Sequence, residues 1–199
     1  MKKYDLVVAR YNEDLSWINQ LEPEKFNLKI YNKGEKNIDF NFVQLDNLGR
    51  DPHTFIMYII QNYENLPEYV IFLQGDPVCH HKNVISIINN HTEEPYVCLS
   101  DHVIEESIFS WYEHLVDTKV PDPYPNMKRF GLHETAYSIL KDETPGICVF
   151  AAGQQYIVNK KFILNRDKKF YIEILERFKF DYVLPWHIER LWFYIWNLK

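Results

Sequence analysis

Apolar residues along the chain fall into short continuous runs, separated by stretches in which they recur at helical spacing. Residues 5–9 (Asp-Leu-Val-Val-Ala) and 69–73 (Tyr-Val-Ile-Phe-Leu) are runs of the kind a strand needs when both its faces are covered. Residues 26–31, 42–45, 96–99, 148–151 and 153–158 read as further strands. The second of all these strands ends on the turn signal Asn32-Lys33-Gly34. Between the strands, residues 53–63 set Phe55, Ile56, Ile59, Ile60 and Tyr63 on one helical face. Residues 13–20, 84–89 and 166–178 predict further helices, the first capped by Asn12 with acidic residues in its opening turn. A terminal helix is expected over residues 185–198, with Pro185 near its start, where a missing amide does no harm. Strands alternating with helices predict an α/β fold, a single domain built on a mostly parallel central sheet flanked by helices.

One stretch breaks the rhythm. Residues 102–144 carry Pro121, Pro123 and Pro125 among acidic residues and histidines, with helical patches at 108–115 and 135–140, and read as an insertion or lid. At 199 residues, with 46% hydrophobic and 16% aromatic residues, the chain can bury a sizeable core. Its 14 tyrosines, 13 phenylalanines and 5 tryptophans fit either an aromatic core or ring-lined pockets. A net charge of −6 argues against a broad basic face for nucleic acid. Cys79, Cys98 and Cys148 are odd in number and widely spaced, which suits a reducing compartment. Neither a signal peptide nor a membrane span is read in the sequence, so a cytoplasmic location is the expectation.

Candidate chemistry starts where the run at 69–73 stops on Gln74-Gly75-Asp76-Pro77. In open α/β sheets ligands sit just beyond the carboxyl ends of the strands, which places Asp76 where a metal, phosphate or sugar would be handled; the alternative is a turn opener or helix cap. Asp101, after the strand at 96–99, follows the same logic. Asn47, Gly49, Arg50 and Asp51 precede a helix: glycine permits close backbone approach, arginine pairs with phosphate or carboxylate, and a helix N-terminus favours anions. An Arg50–Asp51 pair bracing the strand ends would explain the same residues. Cys79-His80-His81 and Cys98 with His102 supply soft ligands, but no Cys-x-x-Cys or His-Glu-x-x-His frames a zinc site. Phosphate-loop, dinucleotide and nucleophile-elbow glycine motifs do not occur.

Five segments together carry a resemblance: Arg10-Tyr11-Asn12-Glu13-Asp14, Asn47-Leu48-Gly49-Arg50-Asp51, Phe72-Leu73-Gln74-Gly75-Asp76-Pro77, Gly153-Gln154-Gln155-Tyr156 and Glu189-Arg190-Leu191-Trp192. In this order they resemble a family of domains of unknown function that is itself similar to GT-A-type glycosyltransferases, the rhamnan-synthesis group included. The resemblance spans nearly the whole chain. It implies a GT-A-like fold and transfer of a sugar from a nucleotide-sugar donor to a glycan or other hydroxyl acceptor. Arg10, Tyr11, Asn12, Glu13, Asn47, Gly49, Arg50, Asp51, Gln74 and Gly75 would hold the donor. Asp76 stands where that fold places its metal-binding Asp-x-Asp, of which one carboxylate is present, so a bound Mn²⁺ or Mg²⁺ becomes an expectation. Glu189 is the implied base for the acceptor hydroxyl, with Asp101 as a rival, and Gln154, Gln155 and His187 would face the acceptor. A Glu189–Arg190 ion pair, a helix cap at Asn12 and Glu13, and ordinary strand amides at Gln154 and Gln155 are the structural readings of the same positions. A silent carbohydrate- or nucleotide-binding module, or a metal-dependent hydrolase using Asp76, His80 and His81, are the alternative functions.

Overall fold

A computed structural model describes residues 2–109 and 130–198. Its centre is a six-stranded sheet formed by β1 (Tyr4–Arg10), β2 (Phe26–Asn32), β3 (Phe42–Gln44), β4 (Tyr69–Gln74), β5 (Tyr96–Cys98) and β8 (Tyr156–Asn159), in the order β3-β2-β1-β4-β8-β5. β1 pairs in parallel with β2 on one side and β4 on the other, and β2 pairs in parallel with β3. β8 runs antiparallel to both β4 and β5. The sheet is therefore mostly parallel, with one reversed strand that the sequence pattern did not distinguish. A separate two-stranded ribbon pairs β6 (Val103–Ser107) with β7 (Ile147–Ala151).

Both faces of the sheet are covered, which is why β1 and β4 are written as continuous apolar runs. Val7, Ala9, Val70 and Phe72 point to one face, against α1 (Arg50–Asn62), α5 (Lys168–Arg177) and α6 (Leu184–Ile195). Leu6, Val8, Ile71 and Leu73 point to the other, which holds α2 (Val84–Asn90) and the 3-10 turn Ser16–Gln20. Aromatic residues fill the first face: Phe72 stacks on Trp196 with ring centres 5.6 Å apart and lies 4.9 Å from Phe55. The abundance of rings is thus spent largely on the core. α3 (Leu132–Leu140) and the single turn of α4 (Lys160–Ile163) complete the helices described. Asp167 caps α5 by accepting the Phe170 amide at 2.8 Å, and Pro185 sits in the first turn of α6, as expected.

Several boundaries differ from the expectation. The helix predicted at 13–20 is a 3-10 turn starting at Ser16, because the Glu13 carboxylate folds back onto the amides of Tyr11 and Asn12 and holds that stretch outside the helix. The stretch at 102–144 contains β6 and α3; residues 110–129, with its three prolines and most of the helical patch at 108–115, lie outside the described residues. All three cysteines are free. No helix among the described residues is long and apolar enough to cross a membrane.

A buried polar pair ties α1 to β1. The Tyr58 hydroxyl donates to the Asp5 carboxylate at 2.6 Å, with Asn27 donating from the other side at 2.9 Å. Tyr58→Phe leaves that carboxylate short of a donor in a place closed to water, and is expected to cost about 1.5–3 kcal/mol in chemical denaturation with the slope unchanged.

Candidate functional site

The chain runs outward from β1 to β2 and β3, and α1 then carries it back to place β4 on the opposite side of β1. The strand order thus reverses between β1 and β4, and their carboxyl ends diverge there, opening a crevice of the kind in which α/β sheets hold ligands. A cleft of about 370 Å³ occupies that point, lined by Ala9, Arg10, Tyr11, Glu13, Lys33, Asn47, Arg50, Asp51 and Gln74. Seven of the ten residues expected at a donor site line it; Asn12, Gly49 and Gly75 lie just behind.

Three of these residues build the wall and leave little free for a ligand. Arg10 is buried and donates from Nε to the Glu13 carbonyl and from Nη1 to the Asn32 side chain and the Tyr11 and Glu35 carbonyls, at 2.7–3.2 Å. The Glu13 carboxylate accepts the amides of Tyr11 and Asn12 at 2.6 and 3.1 Å. Asn12 accepts the Glu35 amide at 2.8 Å. Gly75 passes so close to Glu13 that a side chain there would overlap its carboxylate, and Trp17 donates to the Gly75 carbonyl at 2.8 Å. These contacts hold the loops after β1, β2 and β4 as one rigid rim.

The opposite wall is the head of α1. Gly49 takes a left-handed conformation at φ 63°, packed against Phe178 and His53, and turns the chain into the helix. Arg50 follows at φ 48°, exposed, with its guanidinium 5.2 Å from the centre of the Trp186 ring. Desolvation pushes the Asp51 carboxyl up to about 6, against the pull of Arg50 and Lys33. Lys33, at the end of β2, is buried, and donates to the carbonyls of Leu48 (2.6 Å) and Arg50. In the sequence Asn32-Lys33-Gly34 reads as a turn; the strand-end logic that applies to β4 singles out Lys33 at the end of β2.

Glu189 reaches this region from α6. Its side chain is 16% exposed and accepts the Gly153 amide at 2.9 Å, while Gln74 donates to the Gly153 carbonyl at 3.2 Å. One residue, Gly153, thereby joins Glu189 to the lining of the cleft through its N–H and its C=O. Desolvation raises the Glu189 pKa, against the Gly153 amide and the nearby Arg190, Arg50 and His80 side chains. A structural Glu189–Arg190 pair is a weak account of these contacts: the two groups are 3.9 Å apart, whereas Arg190 binds Glu106 at 3.0 Å and lies over Phe150. Gly153, at φ 87°, leaves room for the ring of His80 beneath it, where a Cβ would come within 2.5 Å.

Other candidates lie elsewhere. Asp76 is exposed, just before the 3-10 turn Pro77–Cys79, and caps nothing with its side chain. Asp101 pairs with His81 at 3.2 Å, and His81 accepts the Asn83 amide on its other nitrogen; this dyad clasps the loops after β4 and β5. Gln154 and Gln155 are buried. The first accepts from the Trp192 indole at 3.0 Å, and the second donates to the Pro77 and Leu99 carbonyls, so both make contacts within the domain. His187 is fully buried beside Thr135, at 2.8 Å, and desolvation lowers its pKa to about 3; it is a neutral core residue and is corrected from the acceptor set. Among the described residues no three His, Cys, Asp or Glu side chains converge to hold a metal ion.

Fold and cleft define an α/β protein with a polar crevice at the topological switch point of its sheet. The chain belongs to the family described as "Protein of unknown function (DUF3431)", which it matches over residues 6–199. No curated protein and no solved structure matches it.

Proposed function

We propose that this protein is a glycosyltransferase of GT-A-like fold that takes a nucleotide-sugar donor in the cleft between the ends of β1 and β4. The observation that carries this reading is the juxtaposition of that cleft with Glu189. A polar crevice headed by a helix N-terminus and Arg50 suits a diphosphate. A desolvated carboxylate linked to the cleft's Gln74 through the backbone of Gly153, with its pKa raised, suits a general base. In a direct displacement Glu189 takes the proton of the acceptor hydroxyl as its oxygen attacks the anomeric carbon, and the bond to the diphosphate breaks with its electrons leaving on the phosphate oxygen. Asp76 is a single exposed carboxylate, and among the described residues no three His, Cys, Asp or Glu side chains converge; a divalent ion at Asp76 would take its other oxygens from the diphosphate and water, and no step here runs through it.

A thermal-shift screen of nucleoside-diphosphate sugars, each with and without Mn²⁺ or Mg²⁺, tests the reading. A donor at 100 times its dissociation constant adds about 2.7 kcal/mol to stability and raises the midpoint by several degrees. A raised midpoint with one nucleotide class, followed by sugar transfer to an added acceptor, is the expected result. Nucleotide binding with no donor turnover would make the protein a silent binding module, and no shift with any nucleotide would remove the donor site.

A further inference from the structure

Lys33 is the one polar residue lining the cleft that neither the candidate-site motifs nor the resemblance picks out, and its setting is unusual for a lysine. The side chain runs inward from the end of β2, and the residue is only 9% exposed. A lysine ammonium has three N–H donors and accepts nothing. Two are directed at the carbonyls of Leu48 and Arg50, the residues that flank Gly49 at the head of α1. Lys33 also lines the cleft at the switch point, together with Arg50 and Asn47. The charged and titratable groups around it are Arg50, Asp51 and His53 of α1, with Glu13 and Glu189 facing Asp51 from the loop after β1 and from α6.

We propose that Lys33 is the buried cation of a pyrophosphate-binding site, two of its N–H groups fixing the turn at the head of α1 and the third, with Arg50 and the N-terminus of that helix, meeting the diphosphate in the cleft. The proposal rests on the reading of the cleft as a donor site and names the part of the donor held there. It also gives burial of a lysine a use. A compact ammonium is costly to desolvate, and here desolvation pushes its pKa down to about 7, with Arg50 adding to the fall and Asp51 opposing it. An arriving diphosphate supplies the missing negative charge. Lys33 then takes up a proton near neutral pH, and the anion meets an ammonium whose side chain was already held in place and needed no ordering. As the diphosphate becomes the leaving group, the same ammonium faces the charge that develops on it.

Inorganic pyrophosphate is the probe, because it carries this chemistry and no nucleoside or sugar. In isothermal titration at pH 7, Lys33→Met is expected to lose roughly ten- to a hundredfold in affinity, the size of one charge-assisted hydrogen bond. Since that variant also frees the turn at Leu48 and Arg50, a second measurement uses the unaltered chain. With ¹³C-labelled lysine, the Lys33 Cε resonance is expected to titrate near pH 7, and to move up by at least one pH unit when pyrophosphate saturates the protein. A midpoint that pyrophosphate leaves unmoved overturns the role of Lys33, as does equal affinity in the variant; if nucleotide-sugars still stabilise the chain, the donor-site reading survives that result. Binding of neither pyrophosphate nor any nucleoside diphosphate overturns both.

Discussion

Glu189→Gln is expected to lower kcat for sugar transfer by about 10²–10⁴-fold while leaving donor affinity within a few-fold. The change is small in shape: the amide oxygen of glutamine can still accept the Gly153 amide that Glu189 accepts at 2.9 Å, so the β7–β8 turn and Gln74 stay in place. What is lost is the basic oxygen. Because desolvation raises the Glu189 pKa above its ordinary 4.5, the rate for the unaltered chain should climb with pH through that raised pKa and then level off, and the climb should vanish in the variant. Stability should move the other way. A carboxyl whose pKa is raised on folding binds more protons folded than unfolded, so its ionisation destabilises the fold as pH rises through the raised value. The glutamine variant should therefore be at least as stable at neutral pH, with the difference fading in acid, as expected where a site trades stability for activity. Asp101→Asn is the companion control. The Asp101 carboxylate pairs with His81 and not with Glu189, Gly153 or Gln74, so kcat should change little. Equal losses in kcat and donor affinity for Glu189→Gln would make Glu189 a support for the turn, and a large kcat loss for Asp101→Asn would move the base to Asp101.

The backbone of this picture could be read from sequence because the sheet is buried on both faces. Runs such as 69–73 have no other comfortable place in a protein of this size, and the glycine that ends the run marks where β4 meets the cleft. The head of α1 was equally legible, since Asn47 to Asp51 combine a left-handed glycine with an arginine at a helix start. Strand direction was not. Nothing in Tyr-Ile-Val-Asn says that β8 enters β4 from the opposite end, because side-chain alternation is the same for either direction. The ribbon β6 was missed for a related reason: Val103 and Ile104 are 58% and 41% exposed, so Val-Ile-Glu-Glu-Ser has no buried face to give it a period. Among polar residues the sequence marked positions but not duties. Arg10 and Glu13 are the right types for a ligand, yet hydrogen bonds within the loop after β1, to the end of β2 and to the loop after it occupy them. Gln154, Gln155 and His187 look the same in sequence whether they face a substrate or the core. Lys33 escaped because the Gly that follows it made a turn a sufficient explanation.

Gly34→Ala is expected to destabilise the protein on the order of 4 kcal/mol, lowering the midpoint of thermal unfolding by roughly 8–16 °C for a chain of this length. No positive φ is involved; the cause is space. A Cβ at Gly34 would overlap the Tyr11 carbonyl oxygen outright and press on the Asn12 side chain. The first of these is backbone, so it cannot rotate away as the end of a long side chain would. Relief requires the loop after β1 to part from the loop after β2, and the bonds between them fail with it: Asn12 to the Glu35 amide at 2.8 Å, Lys33 amide to the Arg10 carbonyl at 2.9 Å, and Arg10 to the Glu35 carbonyl at 3.0 Å. Each is worth about 1 kcal/mol, which together with the overlap sets the estimate. Gly146→Ala is the matched control, because nothing lies within 4 Å of a Cβ there, and it should stay within about 0.5 kcal/mol of the unaltered chain. The same rim forms one wall of the cleft, so any Gly34→Ala protein that remains folded should bind nucleoside diphosphate more weakly, while Gly146→Ala binds normally. A Gly34→Ala variant as stable as its control would mean that the two loops separate freely, and the rigid rim on which the cleft's shape depends would have to be abandoned.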